Sequence, residues 1–206
     1  MTLSLECAGN VIPEARDQIR RYCGLPWSGG DPETWAYEYF DLVPTGPDDL
    51  IGPPDTLAAA SLHPGFGRAE MVWFSGGGDQ VCESWLSDLP VDVDLADSGE
   101  ETFERLVELP VLCDGIGLSI VSKVTHHKRP RLIPLFDRAL VDRYRRLTGV
   151  RGEAAWPSLV RALRADLGLD GNRQFFKDVR AELTKELTGP VPSDLRLMDI
   201  AIWMAR

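Results

Sequence analysis

Residues 112–141 read LCDGIGLSIVSKVTHHKRPRLIPLFDRALV, and this stretch sets the reading of the whole chain. A helix is expected to end near Leu112. Gly115 and Gly117 supply two positions that tolerate positive φ and close approach. A second helix is expected from about Leu118. On it Leu118, Ile120, Val121 and Val124 form an apolar face, while Ser119, Ser122, Lys123 and His126 share the opposite, polar one. A helix that starts after a glycine turn presents free backbone N–H groups, which suit a phosphate. Lys128-Arg129-Pro130-Arg131 then reads as an exposed basic turn. The apolar run Leu132 to Phe136 drops into a core, and Asp137 stands at the start of a further helix. On that helix Leu140, Val141 and Tyr144 face inward, and Arg138, Arg143 and Arg145 face outward.

Working outward, the same periodicity recurs. Pro13 to Cys23 and Pro32 to Phe40 read as helices, and the Pro/Gly-rich stretch Val43 to Pro54 as a long loop. Asp55 caps a helix through Leu62. Met71 to Phe74 fits either a helix or a strand. Gln80 to Leu86 makes another helical turn or two, and Asp88 to Asp97 an acidic loop. Its Asp92-x-Asp94 lacks the glycine and glutamate of a calcium loop. Ser98 and Glu101 have capping-box spacing before Phe103, Leu106 and Val107. Three C-terminal helices follow, at about 154–167, 172–187 and 193–205. The expectation is one all-α domain over residues 1–206, two-lobed, with a hairpin region at 98–128 and C-terminal helices over 137–206.

The order of glycine hairpin, helix, apolar-Pro-apolar run and aspartate, with roughly twenty residues between Gly117 and Asp137, resembles the helix-hairpin-helix DNA glycosylase superfamily. The resemblance covers Cys113–Gly117, Pro134 and Asp137. It implies a glycosylase-like helical fold acting on double-stranded DNA. Such an enzyme flips a damaged or modified base from the stack and cuts its N-glycosidic bond, in repair or in defence against modified foreign DNA. Asp137 would be the catalytic carboxylate beside an oxocarbenium-like sugar. Gly115, Gly117, Ser119, Lys123, His126, Lys128, Arg129 and Arg131 would contact DNA, and Trp35, Tyr39 and Trp73 would line the base pocket. No cofactor is implied, and a monomer is expected. Asp114 stands where the family carries proline. Ser119 stands where strand-cleaving members carry lysine, which implies base release without strand cleavage. Lys123, one turn on, is the alternative amine. The competing readings are that Asp137 is only a helix N-cap, and that the chain is a non-catalytic DNA-binding or protein-interaction module.

Composition bounds these readings. The chain has 206 residues, 44% hydrophobic, with six Trp and seven Phe, enough for a substantial core. No apolar run reaches the roughly 20 residues of a membrane span, and Met1–Val11 lacks a secretory pattern, so a cytoplasmic protein is expected. The four scattered cysteines read as ordinary buried thiols, with no metal site among them. Net charge is −10, yet it divides unevenly. Residues 1–118 hold 5 basic and 22 acidic side chains, and residues 119–206 hold 17 and 10. That asymmetry fits a basic working face on an acidic body, or simply two solvated surfaces. Among the loop acids, Asp41, Asp48, Asp49 and Asp55 are candidates for a second carboxylate.

Overall fold

The computed structural model describes residues 2–31, 36–149 and 152–205, with the backbone alone at 36 and 146–148. It is mostly helical, as the periodicity predicts. In chain order the α-helices are α1 (Ala15–Tyr22), α2 (Pro53–Leu62), α3 (Arg68–Trp73), α4 (Asp79–Leu86), α5 (Glu100–Val107) and α6 (Leu109–Leu112). They continue as α7 (Leu118–Lys128), α8 (Arg138–Thr148), α9 (Trp156–Gly168), α10 (Asp170–Glu186) and α11 (Asp194–Met204). Among the described residues no helix is long and apolar enough to cross a membrane.

A small antiparallel hairpin precedes them, β1 (Leu3–Leu5) paired with β2 (Asn10–Ile12), Leu3 opposite Ile12. Strands this short carry too little alternation to show in sequence. They are held by helix side chains. Asn172 of α10 accepts from the Ser4 amide (3.1 Å) and donates to its carbonyl (2.7 Å). Asp166 of α9 accepts from the Cys7 amide (3.0 Å) and the Tyr144 hydroxyl (2.7 Å).

A small separate cluster joins Phe40, Ala58 and Leu135, and the main core draws chiefly on α1, α4, α5, α7, α8, α9, α10 and α11. Trp85 and Trp156 lie within it, and each indole N–H finds a backbone carbonyl, at Arg105 (3.0 Å) and Leu106 (2.8 Å). Buried indoles need such partners. The central element is α7. Every residue on it except Ser119 is buried, so its expected polar face is enclosed as fully as its apolar one. α2 covers one side of it.

The basic turn after α7 is the largest departure from expectation. Lys128 and Arg129 are buried, not exposed. Asp55 of α2, itself inaccessible, accepts from Lys128 Nζ (2.8 Å), His127 Nδ1 (2.7 Å) and the Gly52 amide (2.8 Å). Burial pushes its carboxyl up, but hydrogen bonds from His127 and Lys128 outweigh that and hold it below the ordinary range. Arg129 pairs with Asp49 and donates to the carbonyls of Asp48 (2.7 Å) and Leu86 (3.2 Å). Arg131 forms a two-pronged pair with Asp94 (3.0 and 2.6 Å). The acidic loops and the basic turn neutralise each other, buried at Lys128 and Asp55 and nearer the surface at Arg131 and Asp94. The other differences are local. Gly99, not Ser98, precedes α5, and the Ser98 hydroxyl donates back to Leu95. The undecided segment Met71–Phe74 is helical.

Candidate functional site

The run Leu132–Phe136 is the strut that delivers Asp137. It is buried throughout and bonded to α7 at two points. His126 Nδ1 donates to the Ile133 carbonyl (2.6 Å), and the Ser122 hydroxyl accepts from the Phe136 amide (2.9 Å). Beyond this strut the chain turns into α8, and Asp137 caps it by accepting from the Ala139 amide at 2.6 Å. The capping reading of Asp137 therefore holds. The same side chain also lines a cavity of about 320 Å³. Capping and facing a cavity are compatible, because a carboxylate has more acceptor sites than one amide uses.

Four elements contribute to that cavity: Tyr22 from α1, Leu62 and Pro64 at the end of α2, Lys123 from α7, and Arg196, Asp199, Ile200 and Trp203 from α11. Leu135 closes it beside Asp137. Its walls are partly apolar and its polar groups converge, the usual build of a small-ligand site.

The ionisable groups form a network. Lys123 is 2% exposed and its ammonium group reaches back one turn, donating to the Ser119 carbonyl (3.0 Å) and hydroxyl (3.1 Å). Burial pulls its pKa below the ordinary lysine value, while the charges of Asp137 and Asp199 oppose that. Arg196 is buried against three partners. It holds Asp41 through Nε (2.8 Å) and Nη2 (3.0 Å), and also contacts the Tyr22 hydroxyl and Asp199. Burial works against its charge, but Asp41, Tyr22 and Asp199 outweigh it and keep the guanidinium protonated. Asp199 is pushed up to about 6, chiefly by burial; Asp137 adds to this, and Arg196 and Lys123 oppose it. Two carboxyl groups and one amine thus line one partly open cavity, where proton transfer and stabilisation of a cationic centre are both chemically available.

The other expected site residues are dispersed. Gly115 and Gly117 do take positive φ, 79° and 90°, in the turn before α7. The first free amide of α7 is not vacant, since Leu118 N–H donates to Glu153 at 2.7 Å. His126 is enclosed and faces a different cavity, of about 410 Å³, walled by Phe40 and several prolines. Lys128 and Arg129 are buried and paired with Asp55 and Asp49, which corrects their reading as exposed phosphate contacts, while Arg131 pairs with Asp94 at the surface. Tyr39 is 59% exposed and lines no part of the Asp137 cavity. Trp73 lies by the glycine turn, donating to the Asp114 carbonyl (3.2 Å). Trp35 lies outside the described residues. The aromatic walls of the cavity are Tyr22 and Trp203 instead. Of the candidate second carboxylates, Asp41 stands behind Arg196, and Asp48, Asp49 and Asp55 belong to the buried clamp on α7.

Asp199 and Arg196 were missed in sequence. Their signal is the pair of charges three residues apart inside LRLMDIAIW (195–203), an otherwise apolar helix. Buried charges of this kind persist only when paired.

The fold and the cavity define an all-α protein with a buried acid–amine site. Residues 15–206 match the model of DUF6308, described as a family of unknown function, and the chain belongs to that family. Comparison with curated proteins and with solved structures gave no match.

Proposed function

We propose that this chain is a DNA N-glycosylase-like enzyme that releases a damaged or modified base from a flipped nucleotide. The observation that carries the reading is the placement of Asp137. It follows the Gly115–Gly117 turn by roughly twenty residues, caps α8, and still faces a cavity that also holds Lys123 and Asp199. The cavity is large enough for a nucleobase, and Tyr22 and Trp203 offer it aromatic surface. As the base departs, the sugar gains positive charge at C1′. A fixed carboxylate stabilises that charge and orients the attacking water. Repair of the cell's own DNA and defence against modified foreign DNA both use this chemistry.

The test is a panel of duplexes carrying uracil, oxidised, alkylated and hypermodified bases, incubated with the protein and then cleaved by alkali at abasic positions. Base release is expected from at least one member. Asp137→Asn keeps the cap, because Asn caps about as well as Asp. It should cut release by about two to three orders of magnitude. Full activity in a folded Asp137→Asn variant would reduce the residue to a cap.

A second reading is favoured by Glu153. Its carboxylate occupies the α7 amide that a phosphate would need, as expected of a non-catalytic protein-interaction module that kept the fold. Absence of binding to every duplex at roughly 50 mM salt would select it.

A further inference from the structure

The Asp137 cavity contains a second carboxyl whose surroundings differ from those of the first. Asp199 lies on α11, is buried, and has one oxygen, Oδ2, bonded to Arg196 Nη1. Its side chain lines the same space as Asp137 and Lys123. Asp137 sits at the N-terminus of α8, where one oxygen accepts from the Ala139 amide. Asp199 lies mid-helix, and among the described residues no backbone amide donates to it. We propose that Asp199 is the acid that protonates the departing base, so that the enzyme selects bases that are neutral before they leave. This rests on the glycosylase reading above and adds to it a catalytic residue and a substrate class.

The groups facing Asp199 decide its proton state. Arg196 on its own helix and Lys123 on α7 favour the carboxylate, while Asp137 at the start of α8 and burial favour the acid. Tyr22 of α1 and Asp41 share Arg196 and draw part of its charge away from Asp199. His63, at the end of α2, lies within electrostatic range of Lys123 and Asp137. The balance leaves Asp199 at about 6, so it is largely protonated only below that pH. Two carboxyls whose environments differ in this way commonly divide into acid and stabiliser.

The step balances without a co-reactant. The C1′–N bond breaks and its electron pair goes to the base. The Asp199 proton goes to a ring nitrogen or carbonyl oxygen of that base. The sugar becomes an oxocarbenium facing Asp137; water adds at C1′ and loses its proton to Asp137 or solvent. Asp199 is reprotonated from solvent, so the net reaction is hydrolysis. A base that already carries positive charge, such as 7-methylguanine, leaves without this proton.

Wild type and Asp199→Asn are compared on duplexes carrying uracil, hypoxanthine or 8-oxoguanine, all neutral, and on one carrying 7-methylguanine. Wild type should release a neutral base, at a rate falling about tenfold per pH unit above about pH 6. Asp199→Asn should slow that release by about 10²–10⁴-fold. Its release of 7-methylguanine, if wild type acts on it, should change by less than about threefold. The wild-type pH profile stands even if the variant folds poorly. Release of neutral bases with no decline above pH 6, or unaltered by Asp199→Asn, overturns the acid role and leaves the glycosylase reading intact. Release of 7-methylguanine alone does the same. Release of no base from any duplex overturns both.

Discussion

Lys123 places its Nζ beside Ser119, the position to which the glycosylase resemblance would assign the amine of strand-cleaving members, and donates to that residue's carbonyl and hydroxyl. A lysine with a lowered pKa in a cavity is the usual preparation for imine formation. Two nearby carboxylates act the other way and favour the ammonium form. The amine is expected to act as a partner of Asp137 and Asp199 in the site and not as a nucleophile. Borohydride should trap no covalent adduct on a duplex with a preformed aldehydic abasic site, and the strand should stay intact. A trapped adduct that disappears in Lys123→Gln would make Lys123 a nucleophile and add strand cleavage to the activity. Sequence spacing alone reached part of this site. It put Ser119 and Lys123 on one helical face and Asp137 at a cap, because those relations are local. It could not bring Asp199 to them, since α11 lies some sixty residues downstream and its burial depends on tertiary packing.

At the scale of elements, the end of α7 shows how a charge pattern misleads when read without partners. Lys128-Arg129-Pro130-Arg131 has the composition of a surface turn. The acidic loop 43–52 and Asp55 have the composition of another. Each is the other's counter-charge, and together they clamp α2 and the loop onto α7. His127 joins the clamp, with both ring nitrogens against oxygen acceptors, Asp55 Oδ1 and the Val43 carbonyl (3.0 Å). Removing one partner leaves buried charge uncompensated, which costs about 3–5 kcal/mol. Asp55→Ala should lower the urea-unfolding free energy by about that amount. A loss under about 1 kcal/mol would mean that Lys128 and His127 find other partners or reach water. The helices themselves were legible: the C-terminal three fall within two or three residues of their expected bounds, because their apolar stripes are long. The β1–β2 hairpin and the Gly99 cap were not, because each depends on one or two residues.

At the scale of the whole molecule, Lys123, Lys128, Arg129 and Arg196 of the basic C-terminal half are buried, so a DNA face would have to use its other cations. Besides the buried Lys123 and Arg196 of the cavity, α8 carries cations just after Asp137. Arg138 has a side chain 92% exposed, with a loose pair to Asp142 at 3.5 Å, and with Arg143 it lines an open depression of about 700 Å³. If DNA enters from this side, Arg138→Glu should flatten the dependence of log affinity on log salt by about 0.9 per lost phosphate contact. An unchanged slope between about 50 and 200 mM salt would place DNA elsewhere on the protein. Charge reversal at Lys128 or Arg129 should unfold the chain instead of changing that slope.

Stability against pH is a second whole-molecule property, set by two buried groups of opposite sign. His126 is enclosed, and burial, with the charge of Arg196 adding, depresses its pKa from 6.5 to about 3. Its Nδ1 donates to a carbonyl, and Nε2 has no hydrogen-bond partner among the described residues, so the neutral ring fits the site. Below about pH 6.5 the unfolded chain binds a proton there that the folded chain does not. That contribution is complete above 6.5 and is lost as pH falls towards 3. Asp199 works in the other direction. Its folded pKa is raised from 3.8 to about 6, so its contribution is complete below 3.8 and is lost as pH rises through 6. Between about pH 4 and 6 each group changes stability by about 1.4 kcal/mol per pH unit, with opposite signs. The wild type should therefore show a nearly flat unfolding free energy from pH 6 to 4. Below 4 it should fall, as His126 acts alone and paired carboxylates such as Asp55 and Asp97 protonate. The variants separate the two terms. Asp199→Asn should lose stability steadily from pH 6.5 downward. His126→Asn, whose amide can still donate to Ile133, should gain stability as pH falls from 6 to 4. Urea unfolding at four or five pH values measures all three proteins. Parallel curves for wild type and both variants would show that neither group changes its proton affinity on folding.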